Sequence, residues 1–316
     1  MDFDGLFSHF GELTTTGLAQ GAIYALVALG YTLVYGVLRL INFAHSEVFI
    51  SGAFAAIWTW GVLGLNQDSE VSGLGSIVLY LLIAMVVAAL ASALTATVIE
   101  RIAYRPLRRH NAPPLAFLIT AIGASIAISE AFGIFTRRLP QGVPNLVSNE
   151  PLFHIAGTPV RIMEVLIIGA ALAMMVGLDI FINRTRLGRG IRAVAQDPDT
   201  AALMGVNRDR TILLVFIAGG TMAGVAGMLY DIRIGALTYS VGFLLGLKAF
   251  TAAVLGGIGN LRGALLGGLL LGLVENYASG LLGTQWKDFA AFVVLVVLLM
   301  FRPTGLLGES LGRARA

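Results

Sequence analysis

Nine apolar runs take up most of the chain, at roughly 14–38, 43–64, 74–99, 115–135, 162–182, 211–230, 243–259, 262–283 and 287–301. A helix needs about 20 predominantly apolar residues to cross the hydrocarbon core of a bilayer. Lipid supplies no hydrogen-bond partner, so a spanning segment must satisfy its backbone as a helix or in a closed barrel. The two-residue alternation of a membrane barrel is missing here. Only 12% of residues are charged and 57% are hydrophobic, whereas a soluble domain carries about 25% charge. These figures exclude an ordinary soluble enzyme and a disordered protein. The expected fold is an all-α polytopic membrane protein, one transmembrane domain over 1–316 with about 8–9 transmembrane or re-entrant helices. Two stretches read as doubtful continuous helices: 36–47, and the short, Gly-rich 243–259 run that carries Lys248. Small residues recur within two runs (Gly219, Gly220, Gly224, Gly227 and Gly263, Gly267, Gly268, Gly272), a spacing that lets helix backbones approach closely.

The basic residues set an expected orientation. Arg101, Arg105, Arg108 and Arg109 lie in the 100–112 loop, and Arg184, Arg186, Arg189, Arg192, Arg208 and Arg210 lie in 183–210. With Arg302, Arg313 and Arg315 of the tail, these are 13 of the 21 basic residues. The positive-inside rule then places both loops and the C-terminus in the cytoplasm. Nine crossings would put the N-terminus outside, along with the proline-rich 136–160 loop (Pro140, Pro144, Pro151, Pro159). Asp2, Asp4 and Glu12, with no lysine or arginine among the first twelve residues, do not make the positive start of a secretory signal peptide. The net charge is +3, and the cations sit between apolar runs rather than on a soluble face, so nucleic-acid binding is not expected.

Catalytic chemistry finds little support. The sequence has no G-x-S-x-G elbow, no H-E-x-x-H and no G-x-x-x-x-G-K-[ST], so ATP hydrolysis by this chain alone is not expected. Cysteine is absent, and of His9, His45, His110 and His154 only His45 falls in an apolar run, so no metal site or cofactor is expected. Three polar clusters remain. In the first, 40–47, Asn42 and His45 would share a helix face, whereas His45 and Glu47 would not. It either lines a polar passage or locks helices together, since a carboxylate inside a membrane must face protein or water. The second runs from Lys248 to Asn260, with Thr251 within it. Its lysine is expected to snorkel to the interface, the other reading being a pair with Glu47 or Glu275. Glu130 and Glu275 read as caps or bridges between helices. Both polar breaks lie beside an apolar run, as the remnant of an inverted duplication would. In the third cluster, 187–207, Asp199 is the expected N-cap of a short helix Thr200–Met204 that stops at Gly205. This is either a docking element or a plain basic loop.

Several motifs occur together and in order: Gly21-Ala22-Ile23-Tyr24-Ala25-Leu26, Gly30-Tyr31-Thr32-Leu33-Val34-Tyr35-Gly36, Ile41-Asn42-Phe43-Ala44-His45, Tyr104-Arg105-Pro106-Leu107, Gly188 to Gly205, Lys248 to Gly259, and Pro303-Thr304-Gly305-Leu306. Across nearly its whole length the chain thus resembles the LivH-type permeases of ABC importers for branched-chain amino acids. Ser46 stands where that family usually has glycine. The resemblance implies a permease subunit of a bacterial-type inner membrane, embedded in the lipid bilayer. The implied partners are a second homologous permease, two cytoplasmic ABC ATPases and an extracytoplasmic substrate-binding protein. It also implies that 183–210 is the coupling loop that meets the ATPase. Within it Arg189, Arg192, Asp199, Ala201, Ala202, Leu203 and Gly205 are the expected coupling residues. Asn42, His45, Glu47, Lys248 and Thr251 are the expected path residues. Related permeases carry urea or short-chain amides, which leaves that substrate class open. A self-sufficient channel or ion-coupled carrier is the reading from a different class.

Overall fold

The structure is a computed structural model, and it describes residues 9–67, 69, 73–147, 151–155 and 158–308. Asp2, Asp4, Arg313 and Arg315 therefore lie outside the described residues. The helices are α1 Phe10–Leu38, α2 His45–Val62, α3 Leu74–Ile99, α4 Arg105–Arg109, α5 Pro114–Phe135, α6 Ile162–Arg184, α7 Arg186–Gln196, α8 Pro198–Leu203, α9 Arg208–Ile234, α10 Val241–Gly256, α11 Leu261–Leu282 and α12 Lys287–Phe301. A π-helical turn over Glu100–Tyr104 joins α3 to α4. The strands are short. β1 (Gln141–Gly142) pairs antiparallel with β4 (Ala236–Leu237), and β2 (Pro151–Ile155) with β3 (Thr158–Arg161).

Seven helical stretches are long and apolar enough to cross a membrane: α1, α3 continued to Arg109, α5, α6, α9, α11 and α12 with its leading turn. The expected all-α polytopic class holds, with two shorter helices, α2 and α10, between the long ones. Helix α1 is the centre of the bundle, since every residue from 19 to 34 is buried. A helix that is apolar all round belongs in such a position.

Glycines allow the neighbours of α1 to reach it. A Cβ on Gly268 would stand 2.5 Å from the Ala25 backbone nitrogen, and one on Gly272 would stand 2.3 Å from the Gly17 carbonyl oxygen. Helix α11 therefore lies backbone against backbone on α1. On the other flank, a Cβ on Gly219 would stand 3.3 Å from Gly30, and one on Gly227 would stand 2.6 Å from the Phe49 carbonyl oxygen. Contacts this close suit a bilayer, where helices associate through packing rather than water exclusion.

Three expectations about breaks meet different outcomes. The 243–259 run, doubted as a full span, is one unbroken but short helix, Val241–Gly256, and is not among the seven long enough to cross. The chain reaches it through β4 and a turn at Tyr239–Ser240. The 183–210 segment is not a loop, since α7 and α8 occupy most of it. The helix-doubtful 36–47 stretch does break: Arg39 takes a left-handed φ of 53° at the C-cap of α1, and α2 starts only at His45.

Candidate translocation path and coupling surface

The break after α1 carries the chain back into the bundle. The His45 ring lies against Gly30, where an added Cβ would collide with Nε2. Gly30 stands eight residues before the end of α1, or about 12 Å along the helix. Asn42 holds the turn. Its Oδ1 accepts from the Ala44 backbone N–H at 3.2 Å and from the Tyr104 hydroxyl at 2.9 Å. The π turn sets Tyr104 in place, and π turns favour functional positions. Tyr104 is fully buried, between Phe117 and Phe216.

Two short helices meet here by their N-terminal turns. Ser46 lies under Gly246, and Glu47 and Ile50 lie against Gly242, the second residue of α10. The rising register on α2 matches the falling register on α10, so the two helices run antiparallel. Glu47 Oε1 accepts from Ser125 at 3.1 Å and Ser46 at 3.3 Å. Its Oε2 and the His45 Nε2 are buried, with no hydrogen-bond partner among the described residues. Orphaned buried polar atoms are costly and uncommon, so they call for an explanation. On the regular α2 the two side chains keep separate faces, as their spacing predicts: His45 lies against Gly30 of α1 and Gly219 of α9, whereas Glu47 meets Ser125 of α5 and Gly242 of α10.

Lys248 joins a different cluster, and the snorkelling expectation is overturned. Its Nζ lies 3.1 Å from Glu275 Oε1 and 2.5 Å from Asp288 Oδ1, and the residue is only 7% exposed. Glu275 also accepts from the Tyr24 hydroxyl at 2.7 Å and has Lys287 at 3.7 Å. Of the two partners weighed for Lys248, Glu275 is the one found. Thr251 is buried and donates within its own helix, to the Leu247 carbonyl at 2.9 Å. Asp231 escapes the sequence reading, because the apolar run there stops at residue 230. It is fully buried in α9, and neither of its oxygens has a partner among the described residues.

The 183–210 segment holds a pair of helices, α7 and α8. Thr185 caps α7 by accepting from the Gly188 N–H at 3.0 Å. A Cβ on Gly188 would overlap the Ile182 carbonyl, so α7 turns tightly off α6. Ile191 and Val194 face inward and Arg189 faces out. Arg192 folds back to donate to the Ile182 carbonyl and to Asn183 Oδ1. The cap of α8 is Asp197, not Asp199, because its Oδ1 accepts from the backbones of Asp199 at 3.0 Å and Thr200 at 3.2 Å. The Thr200 hydroxyl, first among these cap hydrogen bonds, holds the Asp197 carboxyl below its usual range. The cap therefore stays ionised at neutral pH. Pro198 occupies the first turn, which suits its missing N–H. Gly205, with φ +85°, ends the element as expected. Ala201 faces the chain's own core, whereas Leu203 and Met204 are 89% and 80% exposed beside exposed Ala202. Sequence reasoning missed a clamp of charged side chains that follows them in the chain. Arg108 lies 2.7 Å from Glu100 and 3.0 Å from Asp209, and Arg105 lies 3.0 Å from Asp209. It ties the end of α3–α4 to the start of α9, which follows α8 directly.

Residues 13–300 match the family model described as branched-chain amino acid transport system / permease component. The chain belongs to this family. A high-affinity branched-chain amino acid transport system permease protein of Pseudomonas aeruginosa, BraD, is 41% identical over 304 residues, covering 95% of this chain and 96% of that one. LivH of Escherichia coli, which carries the same description, is 37% identical over 306 residues, covering 96% and 97%. The xylose transport permease XylH of Escherichia coli is 30% identical over 147 residues, covering 44% of this chain and 35% of its own. No solved structure matches the chain. As a branched-chain permease family member with seven apolar helices, this is a multi-pass protein of a bacterial-type inner membrane.

Proposed function

We propose that this chain is the membrane-spanning permease subunit of an ABC importer, passing leucine, isoleucine or valine from a separate binding protein to the cytoplasm. The reading rests on the full-length match to permeases named for branched-chain amino acids. Likeness to a sugar permease covers under half the chain, so it does not favour a sugar. Two cytoplasmic ATPases and a second, homologous permease complete the proposed assembly, because the sequence carries no Walker A motif of its own.

The proposed path passes Asn42, His45 and Glu47. Unpartnered atoms on His45 and Glu47 support it, as does the meeting of two helix N-termini, an arrangement recurrent at transporter sites. Lys248 belongs to the ion cluster beside the path, and Thr251 bonds within its own helix. The proposed ATPase surface is the exposed face of Ala202, Leu203 and Met204. Arg189 lies at its margin, while Asp197, Arg192, Ala201 and Gly205 shape the element from within.

Leucine uptake into proteoliposomes holding the full assembly tests this. Uptake is expected only with ATP. Uptake by this chain alone without ATP would identify a carrier and overturn the reading, and uptake of urea in preference to leucine would reassign the substrate. In the same assay Ala202→Glu should cut uptake by more than about tenfold while the permease still inserts, since a buried unpaired charge costs several kcal/mol. Asn42→Leu should also slow uptake, because the Ala44 N–H and Tyr104 hydroxyl lose their acceptor at about 1–3 kcal/mol each. Normal uptake by both variants would leave these residues a packing role only.

The orientation is likewise proposed: residues 100–112, 183–210 and the C-terminus inside, 136–160 outside. The Arg-rich 100–112 and 183–210 segments meet at one end of the bundle through the Asp209 clamp, which supports it. At the opposite end β1 pairs with β4. An impermeant thiol reagent should label Gln141→Cys from outside and spare Gln196→Cys, in a chain with no native cysteine. The reverse pattern would invert the topology.

A further inference from the structure

A cavity of about 690 Å³ opens at the end of the bundle where α1 and α6 begin and α9 ends. Pockets of this size hold small organic ligands. Its lining has two chemistries. Arg161, Glu164 and Arg233 form the charged part, and Leu146, Met163 and Ile232 are among the apolar residues.

The charged groups are held in place by the surrounding backbone and side chains. Glu164 Oε1 accepts from the Thr16 hydroxyl at 3.2 Å, and its Oε2 accepts from the Arg161 backbone N–H at 3.3 Å. A carboxylate has about four acceptor sites, so capacity remains. Arg161 lies 3.1 Å from Glu12. Arg233 donates to the Thr16 carbonyl at 3.0 Å, its one hydrogen bond among the described residues, and it pairs with no carboxylate among them. A guanidinium has five N–H donors in a planar fork that matches a carboxylate. A partly buried cation without a counterion is unfavourable unless something anionic comes to it. The cavity therefore offers, among the described residues, a guanidinium in no salt bridge, with the fixed carboxylate of Glu164 as its nearby opposite charge and an aliphatic surface beside both.

We infer that this cavity is the entry site for an aliphatic α-amino acid, with Arg233 taking its carboxylate, Glu164 its ammonium and the aliphatic lining its side chain. The inference deepens the amino-acid permease reading and rests on it. A permease that receives cargo from a separate binding protein needs a first resting place. This cavity distinguishes a zwitterion from a simple acid or amine, because both charges must find partners.

Asn145 is an exposed residue of the lining, so Asn145→Cys reports occupancy. The assembled importer, without its binding protein, is placed in phosphatidylcholine vesicles, and labelling by an impermeant maleimide is timed. Leucine should slow labelling severalfold, whereas leucinamide, which lacks the carboxylate, and isocaproate, which lacks the ammonium, should not. Adding Arg233→Gln should raise the leucine needed by about tenfold or more, as expected for losing a charged hydrogen bond. The comparison of the three ligands stands even if the Arg233 variant fails to fold. Labelling that leucine leaves unchanged, equal protection by all three compounds, or no labelling from outside would each overturn the inference. Leucine uptake by the same assembly with its binding protein and ATP restored separates the two claims. Uptake without protection removes the entry site alone, whereas absence of both removes the amino-acid reading.

Discussion

Lys248→Met is expected to destabilise the folded permease by about 3–5 kcal/mol, the usual cost of removing one partner from a buried ion pair. Lys248 bridges Glu275 on α11 and Asp288 on α12, at 3.1 Å and 2.5 Å. Glu275 is fully buried and would keep only the more distant Lys287, at 3.7 Å, and the Tyr24 hydroxyl. The thermal midpoint of the purified protein in detergent should fall accordingly. Adding Glu275→Gln to Lys248→Met should recover much of the loss, because the stranded charge disappears. A single Lys248→Met variant that melts with the parent protein would mean the ammonium sits at the interface after all. The double variant matters because a buried pair is weak evidence of net stability, and only the unpaired state is reliably costly.

Gly268→Val should be at least as damaging, and for a different reason. Its Cβ would meet the backbone of Ala25 at 2.5 Å, and backbone cannot swing aside as a flexible side chain can. Overpacking a tight contact costs about 1–3 kcal/mol, and more when helices must separate. Here α11 would have to leave α1, the helix on which the bundle is built. The expected result is little or no folded protein after membrane extraction. Gly169→Ala on α6 is the control. A Cβ there meets nothing within 4 Å, so alanine should be neutral or stabilise by up to about 1 kcal/mol through helix propensity. Normal yield and melting of Gly268→Val would show that α1 and α11 are farther apart than the structure has them.

The candidate site was legible in part. The residue types at 42, 45 and 47 stood out because polar groups inside an apolar run are expensive and need a reason. Helical periodicity also puts His45 and Glu47 on different faces, and α2 keeps them there. What each one meets was not legible: the break at 39–44 returns His45 to Gly30, and the approach of α10 brings Gly242 to Glu47. Tyr104 and Ser125 carried no comparable signal, since a tyrosine and a serine near apolar runs are ordinary. The short helix after Asp197 is legible in the sequence, but residue spacing alone puts its cap at Asp199. Asp197 and Asp199 flank Pro198, and proline favours the first helical turn, which makes Asp197 the residue whose carboxylate meets the free N–H groups.

The amino-acid sequence by itself determined the class of this protein, most of its spans and its family. Apolar length is a local property, and the backbone in lipid has few alternatives to a helix. It could not rank those spans. Helices α1 and α5 are almost equally hydropathic, yet 83% of the most apolar window of α1 is buried against 17% for α5. In water an apolar stripe would tell the two apart, but in a membrane the lipid-facing and protein-facing sides are both apolar, and the signal vanishes. Tertiary structure decided which helix is central. It likewise chose Glu275 as the partner of Lys248, turned Ala201 inward while leaving Leu203 and Met204 exposed, and gathered Arg161, Glu164 and Arg233 around one cavity. Each of those outcomes depends on how close two backbones can come. That distance is set by glycines on helices far apart in sequence, such as Gly21 and Gly268.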